Sequence, residues 1–341
     1  MQRSNGGRPL LLLSILLVLL VACGRQEVKV EGTDTASNGT TGTEAVAVQT
    51  ARPVTLSEGF NTPESVLYDP EQDVYFVSNI NGQPLDKDGN GYISKIPATS
   101  QIPEAKWISS NGGTVKLDAP KGLAIVGDEL WVTDIDVIRK FDRKTGEPKG
   151  DIAVPGSTFL NDLATAPDGT VYATDSGMKA GKNGFEGTGT DAVYEISKDG
   201  KLKKLATGDQ LHRPNGVTVA EDGKIWVVTF GSNELFAIND GKKSDVHQLP
   251  KGSLDGVVSL GKDLLVSSWD GKAVYEGPPE GPFQTVVDNV ASPADIGFDT
   301  RRSLILIPDF TESKVMIVPL PSAGVETSAE GQTATETTSN E

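Results

Sequence analysis

The sequence predicts an all-β chain folded as a six-bladed β-propeller of four-stranded antiparallel blades. Three observations carry that expectation. First, one pattern recurs six times: Pro or Leu, then a residue that is polar in five copies, then a third residue, then an apolar residue opening a β-rich run. The openings are Pro63-Glu64-Ser65-Val66, Pro120-Lys121-Gly122-Leu123, Leu160-Asn161-Asp162-Leu163, Pro214-Asn215-Gly216-Val217, Leu254-Asp255-Gly256-Val257 and Pro293-Ala294-Asp295-Ile296. Second, their spacings of 57, 40, 54, 40 and 39 residues leave room for four short strands and their turns. Third, no stretch of the folded region shows the 3.6-residue apolar period of a helix.

The chain reads in order as follows. Arg3 and Arg8 precede the apolar run 10–22, whose thirteen residues fall short of the about 20 that span a bilayer as a helix. Residues 1–22 are therefore expected to be a signal peptide. The run ends in Leu20-Val21-Ala22-Cys23-Gly24, which resembles a bacterial lipobox and implies lipidation of Cys23. The resemblance implies a chain anchored by lipid outside the cytoplasm, and Gly24 rather than Asp implies sorting to an outer membrane where the host has one. Residues 23–50 are rich in Thr, Gly, Ser and acids, and read as a disordered tether. Residues 51–320 hold the repeats, and 321–341 form an acidic tail with Glu326, Glu330, Glu336 and Glu341.

Within the repeats, turns such as Pro167-Asp168-Gly169 and Glu221-Asp222-Gly223 lead into second strands at 171–174, 225–228 and 304–307. In the fourth copy the outer strands are expected at 235–238 and 245–249. The sixth copy runs out after 315–318, so residues 54–56 are expected to supply its outer strand and close the ring.

This architecture says where a site must be. In an up-and-down meander the loop entering the first strand and the loop leaving the second emerge on one face. First strands line the channel, so Glu64, Lys121, Asn161, Asn215, Asp255 and Ala294 should ring one mouth. Asn79, Asp134 and Asp175 and the loops 80–91 and 176–190 should lie near it, whereas the turns holding Asp69, Asp168, Asp222 and Asp299 belong to the opposite face.

Charge and composition narrow the chemistry. With 31 basic against 47 acidic side chains the net charge is −16, which opposes binding to nucleic acid or anionic lipid. One cysteine and two histidines exclude a disulfide framework, a cysteine-rich zinc site and a histidine-rich metal centre. Two carboxylates and two amides in a ring suit a hard cation held by oxygen, calcium before magnesium or manganese, or else polar caps at strand starts.

The motifs around Glu64, Asn161, Asn215 and Asp255, four in the expected blades and order, resemble the metal constellation of the regucalcin and gluconolactonase family over about 53–320. The resemblance implies a divalent cation, calcium first with manganese, magnesium or zinc as alternatives, held by Glu64, Asn215 and Asp255. It implies that Asn161 supports water or substrate, that Asp255 doubles as general base, and that a lactone or ester is hydrolysed by activated water. This chain departs from the family at Phe159, where sugar-lactone members carry a substrate-binding arginine, and at Lys121, whose ammonium could pair with Glu64 or Asp255 and displace the cation. Lys121, Phe159 and Asn161 are thus the candidate substrate-binding residues. A noncatalytic module that binds a small molecule or protein, or an envelope scaffold, is the competing class.

Weaker signals have plainer readings. The segment 86–94 resembles an EF-hand loop but has Pro97 where the bidentate Glu belongs, and reads as a polar hairpin loop. His212 reads as an exposed loop residue and His247 as part of an outer strand. The glycine-rich 181–189 lacks the context of a phosphate loop and reads as an insertion, with a lid over the mouth as the alternative. Trp131, Trp226 and Trp269 are expected in the inter-blade core, and Trp107 over an outer strand.

Overall fold

The computed structural model describes residues 52–321 apart from 111–113 and 183, and within these the chain forms six four-stranded antiparallel sheets. The signal peptide, Cys23, the tether and residues 322–341 lie outside the described residues. The sheets follow one another around a ring, and their first strands are Pro63–Asp69, Pro120–Val126, Leu160–Thr165, Pro214–Val219, Leu254–Leu260 and, shorter, Gly297–Asp299. The sixth blade takes its outermost strand, Val54–Leu56, from the start of the domain, pairing Val54 with Ile317 and Leu56 with Val315. Closure by the two chain ends therefore occurs where the sequence places it.

Burial within a blade follows distance from the axis. Second strands such as Val74–Asn79 and Leu304–Asp309 are buried along their whole length, because each is covered by neighbouring blades on both faces. Outer strands such as Pro148–Ala153 are almost wholly exposed. That gradient is why the second strands carry the continuous β-branched and aromatic runs that make the repeat visible. The core sits between blades: Trp131 and Ile138 of the second pack with Leu163, Ala173 and Tyr194 of the third. Tyr68 and Tyr75 of the first pack with Leu306 and Val315 of the sixth, so the seam closed by the terminal strand has a core of its own. The one helical element among the described residues is a single 3₁₀ turn, Asp209–Leu211.

Insertion within the third blade accounts for its longer repeat. Met178–Gly181 and Gly184–Gly187 pair as a separate two-stranded hairpin. Within the glycine-rich segment, Gly184–Gly187 is thus one arm of a hairpin, and its Phe185 lines the mouth cavity.

Candidate functional site

A β-bulge builds the mouth. In each of the first five blades the register between first and second strands slips by one residue at the start of the first strand, as between Pro63 and Val66 or between Leu254 and Val257. The two residues inside each slip are the polar and following residues of the repeat. A bulge bends the strand and re-aims its side chains, and here it accompanies Glu64, Lys121, Asn161, Asn215 and Asp255 around one cavity of about 300 Å³. The second bulge residue faces the next blade. A Cβ on Gly216 would stand 2.3 Å from the Asp255 carbonyl oxygen, and one on Gly122 2.5 Å from that of Asn161. Packing of bulge against bulge therefore dictates glycine in these blades.

The bulges are held by repeated hydrogen bonds. The residue just after the second strand donates its N–H to the carbonyl two residues before the ring position: Ile80 to Thr62, Ser176 to Phe159, Phe230 to Arg213, Trp269 to Ser253 and Phe310 to Ser292, at 2.9–3.0 Å. Asn79, Asp134 and Asp175 accept N–H groups of the loops entering their own blades, from Asn61, Ala119 and Phe159 at 3.1, 2.8 and 2.9 Å. They fix the mouth without lining it.

Four side-chain oxygens in the ring are buried without a hydrogen-bond partner: Glu64 Oε2, Asn161 Oδ1, Asn215 Oδ1 and Asp255 Oδ1. Their neighbours are spoken for. Trp269 Nε1 donates to Asp255 Oδ2 at 2.8 Å, and Asn161 Nδ2 donates to Ser176 Oγ at 3.1 Å, leaving Asp255 Oδ1 and the amide oxygen of Asn161 without a partner. Burial, reinforced by the negative charges of Asp255 and Asp295, pushes the Glu64 carboxyl well above the ordinary range. Burial followed by the charge of Asp295 does the same to Asp255. Below the ring, Asp295 accepts from Ser65 Oγ, and burial raises its pKa to about 7. Uncompensated buried acceptors of this kind cost stability, and four of them gather around one cavity.

Lys121 lines the same cavity. Its ammonium donates to the carbonyls of Pro84 at 3.0 Å and Ala119 at 2.9 Å and lies 4.6 Å from the centre of the Phe159 ring. Among the described residues its hydrogen bonds go to these carbonyls rather than to Glu64 or Asp255, while its charge still acts on the Glu64 carboxyl. Burial lowers its pKa to about 8, against the pull of Glu64 and Asp134.

The polar set fits a hard cation. No cluster of three or more His, Cys, Asp or Glu with metal-holding geometry occurs among the described residues. The donors are instead two carboxylates and two amide oxygens, with no sulfur or imidazole. That is calcium-type chemistry, in which neutral oxygens and water complete the shell, and it suits zinc poorly.

With the propeller and its mouth defined, comparison with known proteins is informative. No protein-family model matches the chain, and no curated protein does. Solved structures do match. A gluconolactonase from Xanthomonas campestris superposes with a TM-score of 0.59 at 19% identity, over 79% of this chain and 89% of its own. The fold is gluconolactonase-like. Luciferin-regenerating enzyme matches with a TM-score of 0.59 at 15% identity, over 80% and 97% of the two chains. Virginiamycin B lyase from Staphylococcus aureus gives 0.54 at 14%, over 78% and 97%. At these identities the shared property is the backbone, and chemistry must be argued from the mouth itself.

Around the mouth of this gluconolactonase-like propeller, other residues fall into place. Trp269 is not inter-blade core: it follows its strand, lines the cavity and holds Asp255, whereas Trp131 and Trp226 are buried in the core and Trp107 stacks on Phe76. Ala294 occupies its ring position without offering a donor. His212 is exposed and pairs with Glu234 at 2.6 Å, outside the cavity, and His247 lies against Trp226 in an outer strand. In the loop 80–91, Ile80, Gln83 and Pro84 line the mouth, while Asp88 bonds Asn90 within the loop. Sequence reasoning missed the apolar collar of Phe230, Trp269 and Phe310. Its signal was present in the repeat register, since these three immediately follow the second strands of blades four to six.

Proposed function

We propose that this chain is a lipid-anchored, extracytoplasmic hydrolase that binds a divalent cation, calcium in the first instance, and opens a lactone or ester. The observation that carries this reading is the set of four unpartnered buried oxygens, from Glu64, Asn161, Asn215 and Asp255, lining one cavity. When bound there, a divalent ion would polarise a carbonyl and acidify water. Glu64, Asn215 and Asp255 would hold it, with Asn161 beside it for water or substrate.

The chain's own residues supply the rest. Asp255 is fixed by Trp269 Nε1 through Oδ2, and its Oδ1, beside the position of the ion, would double as the acceptor of a proton from an attacking water. The water oxygen bonds to the carbonyl carbon, the C–O bond to the leaving oxygen breaks, and the proton passes from Asp255 to that oxygen. Lys121, anchored by two carbonyls, places a cationic N–H donor at the rim of the same cavity. The Cys23 lipid would hold the propeller at the envelope through the tether, with membrane contact confined to the anchor.

Two experiments test the reading. Calcium titrated by calorimetry into metal-stripped protein should bind saturably, and Glu64→Ala should abolish the heat; wild type without saturable binding sinks the cation assignment. Asp255→Asn should reduce lactone hydrolysis by about 10²–10⁴-fold with the fold retained. Turnover unaffected by that substitution would remove Asp255 from the chemistry. Ligand binding without turnover would mark a noncatalytic module. Mass spectrometry of the membrane fraction, comparing wild type with Cys23→Ser, tests the anchor.

A further inference from the structure

The wall of the mouth differs in kind from its floor. Phe230, Trp269 and Phe310 form a contiguous chain of rings, with centroids 5.5 Å apart for the first pair and 5.3 Å for the second. On blade three Phe159 meets Phe185 edge to face at 6.0 Å, so aromatic rings from blades three to six line the cavity that holds the four oxygens. Phe185 stands on the inserted hairpin, is 44% exposed and lines the same cavity, so its ring is within reach of a ligand held there.

Groups that would recognise a sugar acid are scarce. Lys121 is the only basic residue among the described residues lining the cavity, and two of its N–H groups are already given to backbone carbonyls. Beyond the ring oxygens, the side chains able to serve hydroxyl groups are those of Thr62 and Gln83. A polyhydroxylated ligand would lose hydration at several groups without regaining hydrogen bonds. A flat ring would gain edge-to-face and stacked contacts on several sides. The cavity, about 300 Å³, lies at the small end of the range for small-molecule sites, about 300–1,000 Å³, and suits one or two rings rather than a polymer.

The geometry points to a neutral aryl ester or aromatic lactone as the substrate class, its ring held by Phe230, Trp269 and Phe310 and covered by Phe185, its carbonyl turned to the oxygen ring. This rests on the hydrolytic reading above, but ligand recognition can be measured apart from turnover. The probes are two lactams that resist hydrolysis, the lactam analogue of dihydrocoumarin and gluconolactam, titrated by calorimetry into full-length protein in detergent with saturating calcium.

The aromatic lactam should bind at least about tenfold more tightly than the sugar lactam. Phe230→Ala and Phe310→Ala should each weaken the aromatic lactam by about five- to tenfold and leave the sugar lactam unchanged, and Phe185→Ala should weaken it by about threefold. Both Phe230 and Phe310 are half-buried, and circular dichroism would confirm that the variants fold. Equal or tighter binding of gluconolactam, no binding of either probe, or indifference of the aromatic lactam to both Phe230→Ala and Phe310→Ala would overturn the assignment. Turnover separates the two readings. Preference for glucono-1,5-lactone over dihydrocoumarin would overturn the aromatic class and leave hydrolysis standing, whereas tight aromatic binding without hydrolysis of dihydrocoumarin would retain the class and remove the enzyme.

Discussion

One strand, Pro63–Asp69, carries a buried acid at each end, and the two are treated in opposite ways. Asp69 is 0% exposed and fully partnered: Arg143 Nη1 donates to both its oxygens at 3.0 Å, Gln72 Nε2 at 2.7 Å, and the Glu71 and Gln72 N–H groups add two more bonds. Burial would raise its pKa, but these bonds and the guanidinium charge outweigh burial and draw it below the ordinary value. Glu64 is 6% exposed, has an oxygen with no partner, and is pushed well above its ordinary value by burial and by its acidic neighbours. The same repeat thus makes buried carboxylates of two kinds. Acids at the turns complete themselves within the chain and hold the propeller together, while acids at the mouth are left wanting a partner from outside.

The comparison breaks most easily at the partnered end. Arg143→Met leaves Asp69 buried and short of its guanidinium, and removing one member of a buried pair costs about 3–5 kcal/mol. Thermal unfolding should move down by about 10 °C at the about 2–4 °C per kcal/mol typical of such chain lengths. A shift under about 2 °C would mean that the turn acids are not structural. At the mouth, the partner must be added. Calcium at about a hundred times its dissociation constant should stabilise the protein by about 2.7 kcal/mol, seen as a rise of about 5–11 °C. Glu64→Gln should lose that rise, and the ion should bind more weakly as pH falls because protons compete for the same oxygens. A wild-type rise that Glu64→Gln leaves intact would place the ion elsewhere.

How much of this was legible depended on whether the physics repeats. The six openings, the strand gradient and closure by Val54–Leu56 recur in register, and so the fold and the ring positions of Glu64, Asn161, Asn215 and Asp255 could be read from spacing. What escaped were contacts made once. The Pro84 and Ala119 carbonyls that take the Lys121 ammonium were not foreseen, because no sequence pattern announces a backbone acceptor. Trp269 looked like core because second strands are core, yet it stands one residue past its strand, where the chain turns toward the mouth. Asp295 stood in the sixth opening with no role assigned to it, and only the closed ring brings it onto Ser65, 230 residues away.

A second partnered acid sharpens the pH side of the contrast. Hydrogen bonds from Arg302 hold the Asp73 carboxyl down to about 2, below the about 3.9 of an unfolded chain. The native state therefore binds fewer protons than the unfolded state between those values. Its contribution is complete above about pH 4 and is lost as pH falls through about 2. Asp73→Asn should cost about 2 kcal/mol at neutral pH and nothing near pH 2, measured by urea unfolding across pH. An equal cost at both pH values would show that the charge of Asp73 is irrelevant to closure of the first blade on the sixth.

The smallest effect carries the opposite sign and separates the two kinds of acid most sharply. Without a cation, Glu64 keeps its proton to higher pH in the folded chain than in the unfolded one, so its ionisation opposes folding as pH rises above the ordinary carboxylate range. Glu64→Gln removes that cost and keeps the shape. In chelator the variant should therefore be more stable than wild type by about 1 kcal/mol near pH 8, with the difference closing near pH 4, where both side chains are neutral. Scanning calorimetry at the two pH values reads it directly. A variant less stable than wild type at pH 8 would mean that Glu64 is satisfied within the chain after all, a turn-type acid that merely sits at the mouth. A gain instead marks a group kept at the expense of stability, as expected where binding, rather than folding, fixes the residue.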